Sequence, residues 1–270
     1  MIFKKSGQSW LGKSTKVLSD YPIFKDFFYF IFSVFAVHSF YLLYVDPLSA
    51  VGLEEAMSKG AVPERTLWLI LKDFEQELCL VLGFWCLLLL FDRYQAFNDD
   101  SRLINIDFLR LDSEDLSSEK IVGRLAEAEE LKLNSYLVPG VRTFWDNYLK
   151  TSSVEAAKRA CFDFYELREE GLESKLQLVN FVLWAIPSVG FLGTVRGIGQ
   201  ALAEADQALS GDIASVALNL GIAFNSTFVA LILSLVLTFV ASGLRGRDGE
   251  RIIKCKSYIA DSLCERLTRI

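Results

Sequence analysis

Long apolar blocks separated by charged stretches dominate this chain, and the blocks are too continuous to be one face of a helix or strand in a water-soluble core. Residues 27–45 (FFYFIFSVFAVHSFYLLYV) give about 19 positions without Asp, Glu, Lys or Arg, enough to cross a hydrocarbon layer. Residues 78–91 (LCLVLGFWCLLLLF) form a second block of roughly 14 positions, short for a crossing, so it must borrow length from its flanks. The third block is 176–202 and the fourth 213–244; as a helix the fourth would be about 48 Å long and must protrude. The first block is longer and more aromatic than a signal core and leaves through Asp46-Pro47 without a small-residue cleavage site, which makes it an uncleaved anchor.

The stretches between the blocks are also helical in pattern. In 92–175, a helix over 119–134 follows the candidate N-caps Ser117 and Ser118, and Val138-Pro139-Gly140 is a turn signal. From residue 153 no Pro or Gly cluster intervenes before Pro187, so one helix runs from the polar portion into the third block. The linker 46–77 carries an amphipathic piece around 64–75, and the tail places Ile252, Ile253, Ile259, Leu263 and Leu267 at helical spacing. The predicted fold is all-α: a polytopic membrane protein with four transmembrane helices and long cytoplasmic helical extensions. Its parts are a leader (1–26), two peripheral spans with a periplasmic linker (27–91), a polar helical portion (92–175), two further spans (176–244) and a helical tail (245–270).

Charge orients this arrangement. Residues 1–26 carry five Lys against two Asp and the tail seven basic against four acidic residues, whereas 46–76 has six acidic against three basic and 203–212 three acidic and none basic. Both termini and the 92–175 portion are therefore expected in the cytoplasm. The overall charge of −6 argues against nucleic-acid binding. Five cysteines without ligand-like spacing and a single histidine, His38, exclude a typical zinc site and point to reduced thiols. No nucleophile–base pair or phosphate loop suggests an enzyme, and no cofactor is implied.

Within the third and fourth blocks, the small and hydroxyl-bearing residues fall on one face. Ala223, Thr227, Ala230, Ser234, Thr238 and Ala241 are spaced by three or four, with Ser226 beside them and Asn219 a turn above. Asn180, Pro187 and Thr194 lie seven apart in the third, where Gly190, Gly193 and Gly197 clear a surface for close helix packing. Pro187 is tolerable only where a neighbour satisfies the carbonyl it frees. Either these groups merely pack helices, or both stripes line a narrow polar path. Neither holds a carboxylate, so a proton path would take its titrating group from another chain. Arg196 either snorkels to the interface or pairs with the acidic loop at Glu204 and Asp206, and His38 reads as a helix–helix hydrogen-bond donor.

The stretch PSVGFLGTVRGIGQAL, followed after an acidic loop by ALNLGIAFNSTFVALILSLVLTF, resembles the MotA/TolQ/ExbB proton-channel family over roughly residues 155–250. Gly193, Thr194, Val195, Gly197 and Ile198 match that family's Gly-Thr-Val-x-Gly-Ile element, and Thr227 fits its second pore threonine, with Gly221 and Ala223 upstream. Arg196 fills the variable position, and Leu231-Ile232-Leu233 stands where the family usually has Ala-Ile-Pro. The resemblance implies a homo-oligomeric ring, typically a pentamer, in a bacterial inner membrane. It also implies two copies of a single-span partner (MotB/TolR/ExbD-like) whose membrane aspartate faces Thr194 and Thr227. Protons would be the coupling ion, with sodium possible, and proton-motive force would become mechanical work. The alternative is a four-span scaffold that packs helices and conducts nothing.

Overall fold

The computed structural model describes residues 22–58, 66–95, 100–107, 109, 118–130, 135–204 and 213–268. In chain order the helices are α1 (Pro22–Phe40), α2 (Asp46–Ser58), α3 (Leu67–Leu71), α4 (Phe74–Gln95), α5 (Asp100–Asn105), α6 (Ser118–Glu130) and α7 (Leu137–Thr151). They continue with α8 (Val154–Ala203), α9 (Ile213–Ile259) and α10 (Glu265–Thr268). No strand occurs among the described residues, as the all-α expectation requires. Among the described residues, four helices are long and apolar enough to cross a membrane: Phe24–Glu55, Phe74–Tyr94, Val154–Ala203 and Val216–Thr268. The leader 1–21, the linker residues 59–65, the candidate cap Ser117 and the loop 205–212 lie outside the described residues.

Several boundaries move. The first span does not end at residue 45: a π-helical turn, Tyr41–Val45, joins α1 to α2, with the Asp46 N–H reaching back to Tyr41 O. Pro47, which has no N–H to give, follows at once, and the wider turn relieves its clash with the preceding turn. The second span gains the length it lacked by starting at Phe74, after a break at Lys72–Asp73. The turn expected at Val138-Pro139-Gly140 lies inside α7. Pro139 is harmless in a first turn, where N–H groups lack helical partners. The start of α7 is capped from elsewhere: Ser135 Oγ accepts from Leu137 and Val138, and Asp100 Oδ1 accepts from the Tyr136 and Leu137 N–H groups at 2.8 and 3.0 Å.

Contacts divide the chain into two units, residues 1–91 with 179–239, and residues 92–178 with 240–270. The second is built on large apolar side chains. Phe144, Trp145, Tyr165, Ile121, Leu137, Ile252, Ile259 and Leu263 share one buried cluster with Cys161, Cys255 and Cys264. Gly140 is needed there, because a Cβ would stand 2.1 Å from the Tyr165 hydroxyl, which donates to Tyr136 O. Arg93 donates to Asp248 at 3.0 Å and to Leu172 O at 3.1 Å, and Arg251 joins Asp248 to Asp100.

The first unit contains the apolar parts of α1, α4, α8 and α9. Its outward side chains are large and apolar, with Phe35, Trp184, Leu235 and Phe239 more than 70% exposed, as contact with lipid allows. Its inward contacts are small: Gly83 lies against Leu233, Cys79 Sγ donates to Ile186 O at 3.6 Å, and Trp85 Nε1 donates to Asp26 O at 3.0 Å.

Candidate functional site

Where α8 crosses α9, glycine meets alanine and serine. A Cβ on Gly190 would stand 2.4 Å from the Ala230 methyl, one on Gly193 2.5 Å from Ser226 Cβ, and one on Gly197 2.8 Å from both Ala223 Cβ and Asn219 O. Ala223 and Ala230 are fully buried and Ser226 nearly so, so these positions serve close backbone approach. Gly199 meets nothing within 4 Å and is not part of this seam. Because the two small-residue stripes face each other within one chain, they form a closed seam.

Two hydroxyls are set into that seam. Thr194 Oγ1 and Thr227 Oγ1 are hydrogen-bonded to each other. Thr227 Oγ1 also reaches Gly190 O at 3.0 Å, and Thr194 Oγ1 reaches Ala223 O at 3.0 Å and Gly190 O at 3.4 Å. Each hydroxyl has a single proton, so the pair has two complete arrangements. In one, Thr194 donates to Thr227, which donates to Gly190 O; in the other, Thr227 donates to Thr194, which donates to Ala223 O. Every group is satisfied in both, and exchanging them moves a proton position along the line without leaving a buried polar group unpaired. Both threonines are half-buried, so the pair is accessible from one side.

The remaining predicted residues are dispersed along the same helices. Ser234 donates to Leu183 O at 3.4 Å, the carbonyl that Pro187 leaves without its usual N–H donor. Pro187 is thus accommodated by the neighbouring helix. Ser226 donates within its own helix to Ile222 O at 3.0 Å. Asn219 donates to Glu204 at 2.8 Å, near the α8–α9 connection. Asn180 is half-buried, and Thr238 is exposed, so neither joins the Thr194–Thr227 pair.

Arg196 corrects the sequence expectation. It pairs with Glu75 of α4, at 2.7 Å, and not with Glu204; Asp206 lies outside the described residues. His38 does make a helix–helix contact, donating from Nδ1 to the Glu77 carboxylate at 2.7 Å.

Residues 132–256 match the model of a family described as the MotA/TolQ/ExbB proton channel family. Over those residues, a little under half of its length, the chain is similar to that family. The match includes α7, the whole of α8 and most of α9, and therefore every residue of the seam. Comparison with curated proteins and with solved structures gave no match. That similarity and the four helices long and apolar enough to span a membrane among the described residues together support a multi-pass membrane protein.

Sequence reasoning missed Glu75, which is 4% exposed and stands on the buried face of α4 with Cys79, Leu82, Cys86 and Leu90. The signal was present: these residues follow Glu75 at spacings of four, three, four and four, the period of one helix face. Starting the span at residue 78, where hydropathy rises, cut the carboxylate off from the face it belongs to.

Proposed function

We propose that the chain is the ring-forming subunit of a proton-driven motor or energiser complex in a bacterial inner membrane, with both termini and the 92–175 portion in the cytoplasm. The ring, a pentamer, encloses two copies of a single-span partner of the MotB/TolR/ExbD type. The partner's membrane aspartate binds and releases protons against Thr194 and Thr227. Proton passage rotates ring and partner relative to each other, and the extended ends of α8 and α9 carry that motion out of the membrane.

The observation that supports this reading is the Thr194–Thr227 pair, with two equally satisfied hydrogen-bond orders between Gly190 O and Ala223 O. Hydroxyls at this position stabilise a carboxylate by donation and a carboxylic acid by acceptance, so they suit a group that alternates between the two. The competing reading, a non-conducting scaffold, draws on the burial of Ala223 and Ala230 against glycines.

A tagged full-length chain, purified in mild detergent and placed in lipid vesicles, tests the proposal. A co-purifying single-span protein with a membrane aspartate, a native mass giving five copies to two, and proton uptake driven by an imposed gradient are the expected results. Purification of the chain alone, without proton uptake, would establish the scaffold instead.

A further inference from the structure

The α8–α9 seam has a third wall. Glu75, in the first turn of α4, brings its side chain against Gly193: a Cβ on that glycine would stand 3.1 Å from Glu75 Cγ and 2.6 Å from Ser226 Oγ. The absence of a side chain at Gly193 therefore makes room for a carboxylate and a hydroxyl at one point, one residue before Thr194. The carboxylate is nearly fully buried and pairs with Arg196 Nη2 at 2.7 Å, one turn along α8 and 41% exposed. A buried carboxylate among membrane helices is costly, and a structural lock between helices needs no charge.

The surroundings supply a way for protons to arrive. Gln76 is fully buried, yet its Oε1 has no donor among the described residues, its Nε2 being given to Ile70 O at 3.0 Å. Asp73 Oδ2 is a second buried acceptor without a donor among the described residues, although the Gln76 side chain lies near enough to favour the Asp73 carboxylate. Both accept hydrogen bonds from water or hydronium. Burial raises the Asp73 carboxyl above the usual carboxylate range, with Lys72 and Arg196 opposing that shift and Glu75 adding to it. Arg196 thus pairs with Glu75, Ser226 shares with it the space at Gly193, and Asp73 and Cys79 lie close enough to feel its charge. Glu77 on α4 is engaged by His38 of α1.

We propose that Glu75 is a proton-carrying group of this chain's ion pathway, positioned by Arg196 and placed between the acceptors Asp73 and Gln76 on one side and, at Gly193, the Ser226 hydroxyl on the other, one residue before the Thr194–Thr227 pair. It rests on the conducting reading above and adds to it a carboxylate from the chain itself. In the step, a Glu75 O–H bond forms as a hydronium on the Asp73 side breaks one of its O–H bonds and leaves water, and the ion pair to Arg196 is given up. Release of that proton to a water on the Gly193 side breaks the Glu75 O–H bond and forms hydronium there, and the restored carboxylate re-pairs with Arg196. Arg196 is a positioning residue: its guanidinium is the opposite charge beside the Glu75 carboxylate, at 2.7 Å, and holds it at Gly193.

The test uses the full-length chain in nanodiscs for infrared difference spectra on acidification, and the co-purified complex in phosphatidylethanolamine–phosphatidylglycerol vesicles for proton flux. Wild type should show a carboxylic-acid band that Glu75→Gln loses, and Glu75→Gln should lower flux roughly tenfold or more, the scale of one lost hydrogen bond to a charged group. Glu75→Asp, which keeps the titrating group, should recover part of both signals and controls for folding. Arg196→Gln should move the pH–flux profile to higher pH by about one unit or more, a shift that loss of a purely structural lock does not produce. An unchanged acid band, or an unchanged flux in Glu75→Gln, overturns the proposal. A wild-type complex without proton flux removes the conducting reading and this one with it; a conducting complex indifferent to Glu75→Gln removes this one alone.

Discussion

Phe144, Trp145, Tyr165 and Ile252 hold the second unit together, whereas the closest helix pair of the first unit meets through Gly190, Gly193, Gly197, Ala223 and Ala230. The difference follows from the solvent each unit gives up. In water, burying a large apolar side chain contributes about 1.5–3 kcal/mol, so a polar bundle gains by filling its centre with aromatic and branched residues. In lipid that gain disappears, because a phenylalanine facing acyl chains is as well solvated as one facing another helix. The large residues of the first unit accordingly point outward, with Trp184 and Phe239 78% and 81% exposed, and stability comes from close backbone approach and interhelical hydrogen bonds. A seam of this kind has no bulky side chains to displace, so it accommodates two hydroxyls and a neighbouring carboxylate without a void. The second unit places its ionic groups, Arg93, Asp248, Arg251 and Asp100, beside the core, where they fix helix ends and cap α7.

The comparison can be broken first where the effect is largest. Phe144→Ala should destabilise the second unit by about 3–5 kcal/mol, read as faster modification of its buried thiols Cys161, Cys255 and Cys264. The same truncation at outward-facing Phe239 should change stability far less; equal losses would mean that both units rest on one kind of core. Next comes Gly190→Ala, which drives a methyl to within 2.4 Å of Ala230 and should cost about 1–3 kcal/mol by parting α8 from α9. Crosslinking between cysteines placed on the two helices would report the separation, and an unaffected crosslink would contradict the seam. Ser234→Ala removes the donor to Leu183 O and should cost about 0.6 kcal/mol, the average for an interhelical hydrogen bond in a membrane. Thermal unfolding in detergent measures it, and a loss several times larger would show that the Pro187 site depends on that one hydroxyl.

Burial pushes the Cys161 and Cys255 thiols from an ordinary value near 9 up to about 12. A raised folded value means that the unfolded thiols lose their protons first. The stabilisation is therefore complete below about pH 9 and declines as pH rises towards 12. Alkaline titration with tyrosine and tryptophan fluorescence should show the second unit loosening in that window, later in Cys161→Ala than in wild type. An identical onset in the variant would remove the thiols from the explanation.

What the sequence made legible was local. The four spans, the unbroken passage from residue 154 into the third span, and the Gly193-Thr194 motif are all set by residues near one another in the chain. What escaped it depends on distant partners. Val138-Pro139-Gly140 looks like a turn until Asp100 is brought to cap it and Tyr165 to occupy the space above Gly140. Glu75 looks like a linker residue because its compensating charge, Arg196, lies 121 positions later. Arg196, correspondingly, reads from the sequence as snorkelling to the interface or pairing with nearby acidic residues, where the fold supplies Glu75 from another helix.

The central claim concerns the two threonine hydroxyls, and the most direct measurement is proton flux through the complex carrying Thr194→Ser with Thr227→Ser beside that carrying Thr194→Val with Thr227→Val. Serine keeps the hydroxyl and loses a methyl; valine keeps the shape and loses the hydroxyl. Flux close to wild type in the serine pair and a fall of roughly tenfold or more in the valine pair, with both complexes assembled, is the predicted result. Undiminished flux in the valine pair would contradict the account and leave the seam as packing alone.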